Sequence, residues 1–168
     1  RNHSSAASDV YKRQSFSDLV ITDCNTGVNV LIDGSACVFT PQDLLFERVV
    51  IENSSSFGFR YKAGDGTDPN LELRDCIIRD SSFRGFEYDV CCDILPSLRL
   101  ERCRIENNAA EGFNAPGWHH YFAPFFTDCV IAGNGGAGVS WSGGTLITDL
   151  TLWRSTIANN GGAGVSAS

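Results

Sequence analysis

The chain has no methionine, no run of about 18 apolar residues, no C-x-x-C pair and no cluster of basic residues. Each absence excludes something. Without a long apolar run, nothing in the sequence spans a membrane as a helix. Without C-x-x-C, a structural zinc site of the usual spacing has no ligands. The formal net charge is −7. An acidic chain with no basic patch must offset its own field before it holds phosphate backbones, so nucleic acid is not an expected partner.

What is present is glycine, 17 residues among 168, and cysteine, seven residues. The length suits one domain with a real apolar core, and the glycines point to many tight turns. One stretch stands apart. "SSAASDVYKRQ", Ser4 to Gln14, has no usable apolar period. It resembles the in-frame translation of a sequencing-library adapter, so residues 1–14 are expected to be a disordered scar outside the fold.

Self-similarity dominates the remainder. The segments "LLFERVVIENSSSFGFRY", "LELRDCIIRDSSFRGFEY", "LRLERCRIENNAAEGFNA", "PFFTDCVIAGNGGAGVSW" and "LTLWRSTIANNGGAGVSA" align without gaps. Ile51, Ile78, Ile105, Ile131 and Ile157 recur at 27, 27, 26 and 26 residues, and Gly58, Gly85, Gly112, Gly138 and Gly164 keep the same intervals. Two positions holding one period define a solenoid.

The first half of a unit, such as "LPSLRLERCRI", also satisfies a leucine-rich-repeat template. The second half separates the two solenoids. A leucine-rich repeat continues with apolar residues three or four apart, whereas "GFRYK" (Gly58 to Lys62) and "GFEYD" (Gly85 to Asp89) alternate apolar and polar. Period two is a strand with one face buried. Each unit therefore holds three short strands separated by bends, and stacked units form parallel sheets.

This pattern, with its loose motif I-x-x-N-x-x-x-G-[IV], resembles the right-handed parallel β-helix of the pectate-lyase-like superfamily. The expected fold is all-β, a right-handed parallel β-helix (solenoid) of about five to six coils of 26–27 residues. Residues 44–168 supply five coils. Residues 15–43 supply a degenerate first coil, with Gly27 in the glycine role, and an insertion from Asp33 to Asp43. A solenoid whose last coil has no polar cap exposes apolar columns, so the parent chain is expected to continue into further coils or domains.

Equivalent residues of successive coils lie about 4.8 Å apart, so like stacks on like. Leu73, Leu100, Phe126 and Leu152 form one inner column, and Phe59, Phe86, Phe113, Val139 and Val165 another. Cys76, Cys103 and Cys129 share a third and read as compact buried residues. Asn53, Asp80, Asn107 and Asn159 turn the chain, and amides stacked there are expected to bond along the axis. Cys91 with Cys92, or Cys24 with Cys37, would suit disulfides in an oxidising compartment.

Chemistry is expected on the outward face of the glycine-led strand. Arg60, Glu87, Asn114 and Ser140 form one polar row there, and Lys62 and Asp89 begin a second. Polar groups at fixed spacing suit an extended polymer with a repeating unit, which makes polysaccharide the expected partner. Glu87, Asp89, Lys62 and His119 are the candidate catalytic acids and bases, and Arg60, Asn114, Trp118 and Ser140 the candidate substrate-binding residues. Asp65 and Asp68 of "GDGTD" are candidate Ca2+ ligands, although the string lacks the further ligands of an EF-hand and serves equally as a solvated turn. No cofactor is required.

Enzymes of the resembled superfamily are lyases that abstract the proton beside a uronate carboxylate, or hydrolases with paired carboxylates. The strings R-x-P-x-x-R, N-T-D and G-H-G are missing here, so no catalytic residue transfers by motif. The resemblance implies secretion to the cell surface or beyond. It leaves two functions open: binding or cleavage of polysaccharide, and a non-catalytic rod, adhesin or tailspike-like module. Cross-coil pairing of Arg60 and Lys62 with Glu87 and Asp89 is the structural alternative to a catalytic pair.

Overall fold

In a computed structural model, residues 13–32, 42–64, 69–90, 97–116, 123–142 and 150–167 are described, and their regular structure is all strand. The strands come in successive triplets: β1 (Arg13–Ser17), β2 (Val20–Thr22) and β3 (Val28–Ile32); β4 (Gln42–Glu47), β5 (Val50–Glu52) and β6 (Phe59–Ala63); β7 (Pro69–Arg74), β8 (Ile77–Arg79) and β9 (Phe86–Val90). They continue with β10 (Ser97–Glu101), β11 (Arg104–Glu106) and β12 (Phe113–Pro116); β13 (Phe125–Thr127), β14 (Val130–Ala132) and β15 (Val139–Ser142); β16 (Thr151–Trp153), β17 (Thr156–Ala158) and β18 (Val165–Ala167). The first, second and third members of each triplet build three six-stranded sheets, all of whose pairings are parallel. This is a parallel β-solenoid.

The registers are those the repeat predicts. Leu73 pairs with Leu100, Leu100 with Phe126 and Phe126 with Leu152. Phe59, Phe86, Phe113, Val139 and Val165 align in the third sheet in the same way. The inner members of both columns are fully buried, each contributing about 1.5–3 kcal/mol of apolar burial. Leu152 and Val165 lie on edge strands and stay partly open. Gly27 takes the glycine role, since Val28 N–H donates to Gly58 O as Phe59 N–H donates to Gly85 O.

Two boundaries differ from the sequence expectation. Strand β1 begins at Arg13, so Arg13 and Gln14 pair with Asp43 and Leu44. Gln42 and Asp43, expected in the insertion, open β4. In both cases parallel ladder pairing with a neighbouring strand extends the strand past the point where the apolar period ends.

Two one-residue corners per coil turn the backbone through positive φ. At the second corner stand Asp23, Asn53, Asp80, Asn107, Gly133 and Asn159, residue types that tolerate this region. The amide bonding expected of this column belongs to its neighbour. Asn108 Nδ2 donates to Asn134 Oδ1 at 2.9 Å, and Asn134 Nδ2 to Asn160 Oδ1 at 2.9 Å. The residue at the bend points outward once φ is positive, and the next one points into the solenoid.

The first corner carries Asp18, Arg48, Asp75, Arg102, Asp128 and Arg154, all between φ 50° and 56°. Acid and base alternate strictly. Each arginine reaches the aspartate of the preceding coil with two bonds: Arg48 to Asp18 at 2.6 and 2.8 Å, Arg102 to Asp75 at 2.6 and 2.8 Å, and Arg154 to Asp128 at 2.7 and 2.6 Å. These arginine hydrogen bonds hold the three carboxyls below the usual aspartate range. A depressed folded-state value contributes stability that is present above the unfolded aspartate pKa, about 3.9, and lost as pH falls through the depressed value. The thermal midpoint should therefore be flat from neutrality to about pH 5 and decline below about pH 4. The triple variant Arg48→Gln, Arg102→Gln, Arg154→Gln should show a shallower decline in the same melting series, and an unchanged decline would disprove the role.

Candidate functional site

The outward row of the third sheet is in register, Arg60 opposite Glu87, Glu87 opposite Asn114 and Asn114 opposite Ser140. Its chemistry differs from an open row of free groups. Glu87 is only 4% exposed. Arg60 Nε donates to its Oε1 at 3.1 Å, and Arg84 Nη1 donates to its Oε2 at 2.5 Å. Arg84 also donates through Nε to Glu111 Oε2 at 2.8 Å. Burial opposes the charge of Glu111, but the Arg84 bond prevails and lowers its pKa. Arg60 lies over the Phe57 ring at 4.9 Å and Arg84 over the Phe83 ring at 4.6 Å, so the guanidiniums have fixed positions.

Lys62 and Asp89 face each other at 3.4 Å. Pairing between β9 and β12 stops after Asn114, close to Pro116, which has no N–H to give. Asn114 itself is 5% exposed, and its Nδ2 has no hydrogen-bond partner among the described residues. A buried amide donor left unpaired costs about 1–3 kcal/mol, which makes this atom the conspicuous unsatisfied group of the row. Trp118, His119, Asp65 and Asp68 lie outside the described residues, as do Cys37, Cys91 and Cys92.

Two features of the first sheet had no counterpart in the sequence expectation. Its outward face carries two adjoining clefts, of about 250 Å3 and 330 Å3, and Arg99 lines both. The exposed Trp153 lies in the larger one. The repeat contained a signal for this face, since the outward positions Asn70, Glu72, Arg99, Glu101, Phe125, Thr127 and Trp153 of the first strands are polar or aromatic.

The interior groups have structural partners. The thiols of Cys76, Cys103 and Cys129 reach Phe46 O, Leu73 O and Leu100 O at 3.4, 3.3 and 3.5 Å. Contacts with the Cys129 and Cys76 thiols, together with burial, push Cys103 well above the usual thiol pKa. Cys24 is a free thiol. Among the described residues no group of three His, Cys, Asp or Glu side chains is placed to hold a metal ion, and no helix is long and apolar enough to cross a membrane.

Three parallel sheets wound by two positive-φ corners, with side-chain ladders inside and out, define the class as a β-helix repeat protein. Residues 5–168 match the family described as the right-handed β-helix region, and the chain belongs to that family. No curated protein and no solved structure matches it.

Proposed function

We propose that this β-helix binds polysaccharide along the outer face of its third sheet. The observation that carries the reading is Asn114, a buried amide whose donor has no acceptor among the described residues, standing beside Ser140 in a row of polar groups at strand spacing. A sugar hydroxyl is an acceptor of the right kind for that donor, and a regular polymer presents such acceptors repeatedly. Arg60 borders the same row. Binding is favoured over cleavage because both oxygens of Glu87 are held by guanidiniums and Asp89 faces Lys62. Neither carboxylate stands free to pass a proton to a glycosidic oxygen. An extracellular or surface location goes with this reading, because that is where structural polysaccharides are met.

The test is affinity electrophoresis of the chain through gels containing soluble polysaccharides, with product analysis of the same mixtures. Retarded migration that Asn114→Ala weakens by about tenfold in affinity is expected, one charge-free buried hydrogen bond being worth up to that much. New reducing ends or unsaturated products would move the reading to catalysis. Free migration in every gel would leave the second reading, a non-catalytic surface rod. The Asp/Arg pairs, which join coils two by two, and the Asn ladder, which links the last three, favour that alternative.

A further inference from the structure

Glu87 and Asn114 are neighbours in register on adjacent strands of the third sheet. In-register side chains of adjacent parallel strands stand about 4.8 Å apart, which puts the Glu87 carboxylate within reach of the Asn114 amide. A carboxylate accepts at about four lone-pair sites and ordinarily takes such a donor. Here it does not, since Asn114 Nδ2 is buried with no partner among the described residues. The reason is direction. Both Glu87 oxygens are turned to guanidiniums, Oε1 to Arg60 Nε at 3.1 Å and Oε2 to Arg84 Nη1 at 2.5 Å.

Arg84 is itself held on three sides. Its backbone O accepts from Gly58 N–H at 3.1 Å, its Nε donates to Glu111 Oε2 at 2.8 Å, and its guanidinium lies over the Phe83 ring at 4.6 Å. The repeat does not call for this arginine. The residues before the coil glycines are Phe57, Arg84, Glu111, Ala137 and Ala163, so only one of these five positions holds a base. Its role is therefore local, set by the acids beside it. Without the bond to Oε2, that oxygen becomes the acceptor at hand for Asn114 Nδ2, and a bond to a charged oxygen is stronger than one to a sugar hydroxyl. The row would then close on itself.

We propose that Arg84 is a positioning residue of the third-sheet row: it holds the Glu87 carboxylate off Asn114 and so keeps the Asn114 amide open to an acceptor on a ligand. The identity of that ligand rests on the polysaccharide reading above, whereas the state of the amide is measured without any ligand.

The experiment uses the full chain and two readouts. The first is the side-chain NH2 signal of Asn114 in a nitrogen–proton correlation spectrum, identified by its loss in Asn114→Ala. The second is affinity electrophoresis through gels of a soluble neutral glucan and of a soluble polyuronate. In Arg84→Gln the Asn114 amide protons should move downfield, as protons given to a carboxylate do, and retardation should weaken by about tenfold in affinity, as in Asn114→Ala. Removing the competing acid as well, by adding Glu87→Ala to Arg84→Gln, should return the amide signal toward its parent position and recover most of the retardation. A role in stability alone predicts the opposite, because the double variant also takes away the carboxylate that Arg60 bonds. Arg84→Lys, a charge without the fork, should lie between the parent and Arg84→Gln in both readouts, and it carries the test if the glutamine variant does not melt cooperatively. An Asn114 signal unmoved in both Arg84 variants, or a double variant that binds more weakly than Arg84→Gln, overturns the proposal. If neither gel retards the parent chain, the polysaccharide reading fails and the amide signal alone decides the role of Arg84.

Discussion

Asn134→Ala should cost about 4 kcal/mol of unfolding free energy, from four side-chain bonds, three of them buried, at about 1 kcal/mol each. Asn134 Oδ1 accepts from Asn108 N at 3.1 Å and from Asn108 Nδ2 at 2.9 Å. Its Nδ2 donates to Ile105 O at 3.1 Å and to Asn160 Oδ1 at 2.9 Å. Alanine removes all four at a residue that is 1% exposed, and the Asn108 and Ile105 groups left behind are buried. Asn160→Ala is the comparison. Its side chain serves Asn134 and Ile131 O only and sits in a part-buried place, so about half the cost is expected. Urea unfolding of both variants checks the pair. A loss below about 1 kcal/mol for Asn134→Ala would mean that the ladder does not hold the coils together.

Gly85→Ala should cost about 3 kcal/mol, at the upper end of ordinary overpacking. A β-carbon at Gly85 would come within 2.6 Å of Asn108 Nδ2 and 2.7 Å of both Ile105 Cγ2 and Gly112 O. The carbonyl is the decisive contact. Gly112 O accepts from Phe86 N at 2.8 Å, so it can retreat only by opening the ladder between adjacent coils. The ladder amide cannot yield without losing its own bonds to Asn134. Gly164 occupies the equivalent position in the last strand triplet, and there the nearest atom is Ile157 Cγ2 at 3.7 Å, an ordinary contact. Gly164→Ala should therefore stay within about 0.5 kcal/mol of the parent. Differential melting of the two variants separates close coil approach from a general dislike of alanine in this motif. Equal effects would refute the packing argument.

Most of the fold was legible before any coordinates. A period of 26–27 residues held by Ile51 and its equivalents, and separately by Gly58 and its equivalents, requires stacked units. Alternation in "GFRYK" then requires a strand, and the pairing of Phe59 with Phe86 and Leu73 with Leu100 follows. Periodicity works here because a parallel solenoid brings each residue beside its own equivalent, so sequence spacing becomes spatial neighbourhood. The same logic put Arg60, Glu87, Asn114 and Ser140 on one row before the registers were known.

Partner choice was not legible. Register places a long side chain near several candidates at similar distance, and direction in three dimensions selects among them. Arg84 reaches back from the corner to close over Glu87, turning an expected exposed acid into a buried, doubly held one. Arg74 takes Glu72, and Arg99, its neighbour in register, turns to the Phe125 ring. At the second corner a backbone of positive φ decides that Asn107 turns the chain while Asn108 carries the amide ladder. The sequence by itself determined the repeat, the three strands of each coil and which residues line each column, because those depend on spacing alone. The tertiary structure decided which charges are spent on one another and which groups, like the Arg99 guanidinium and the buried Asn114 amide, have no acid or acceptor among the described residues, because that depends on where each side chain points.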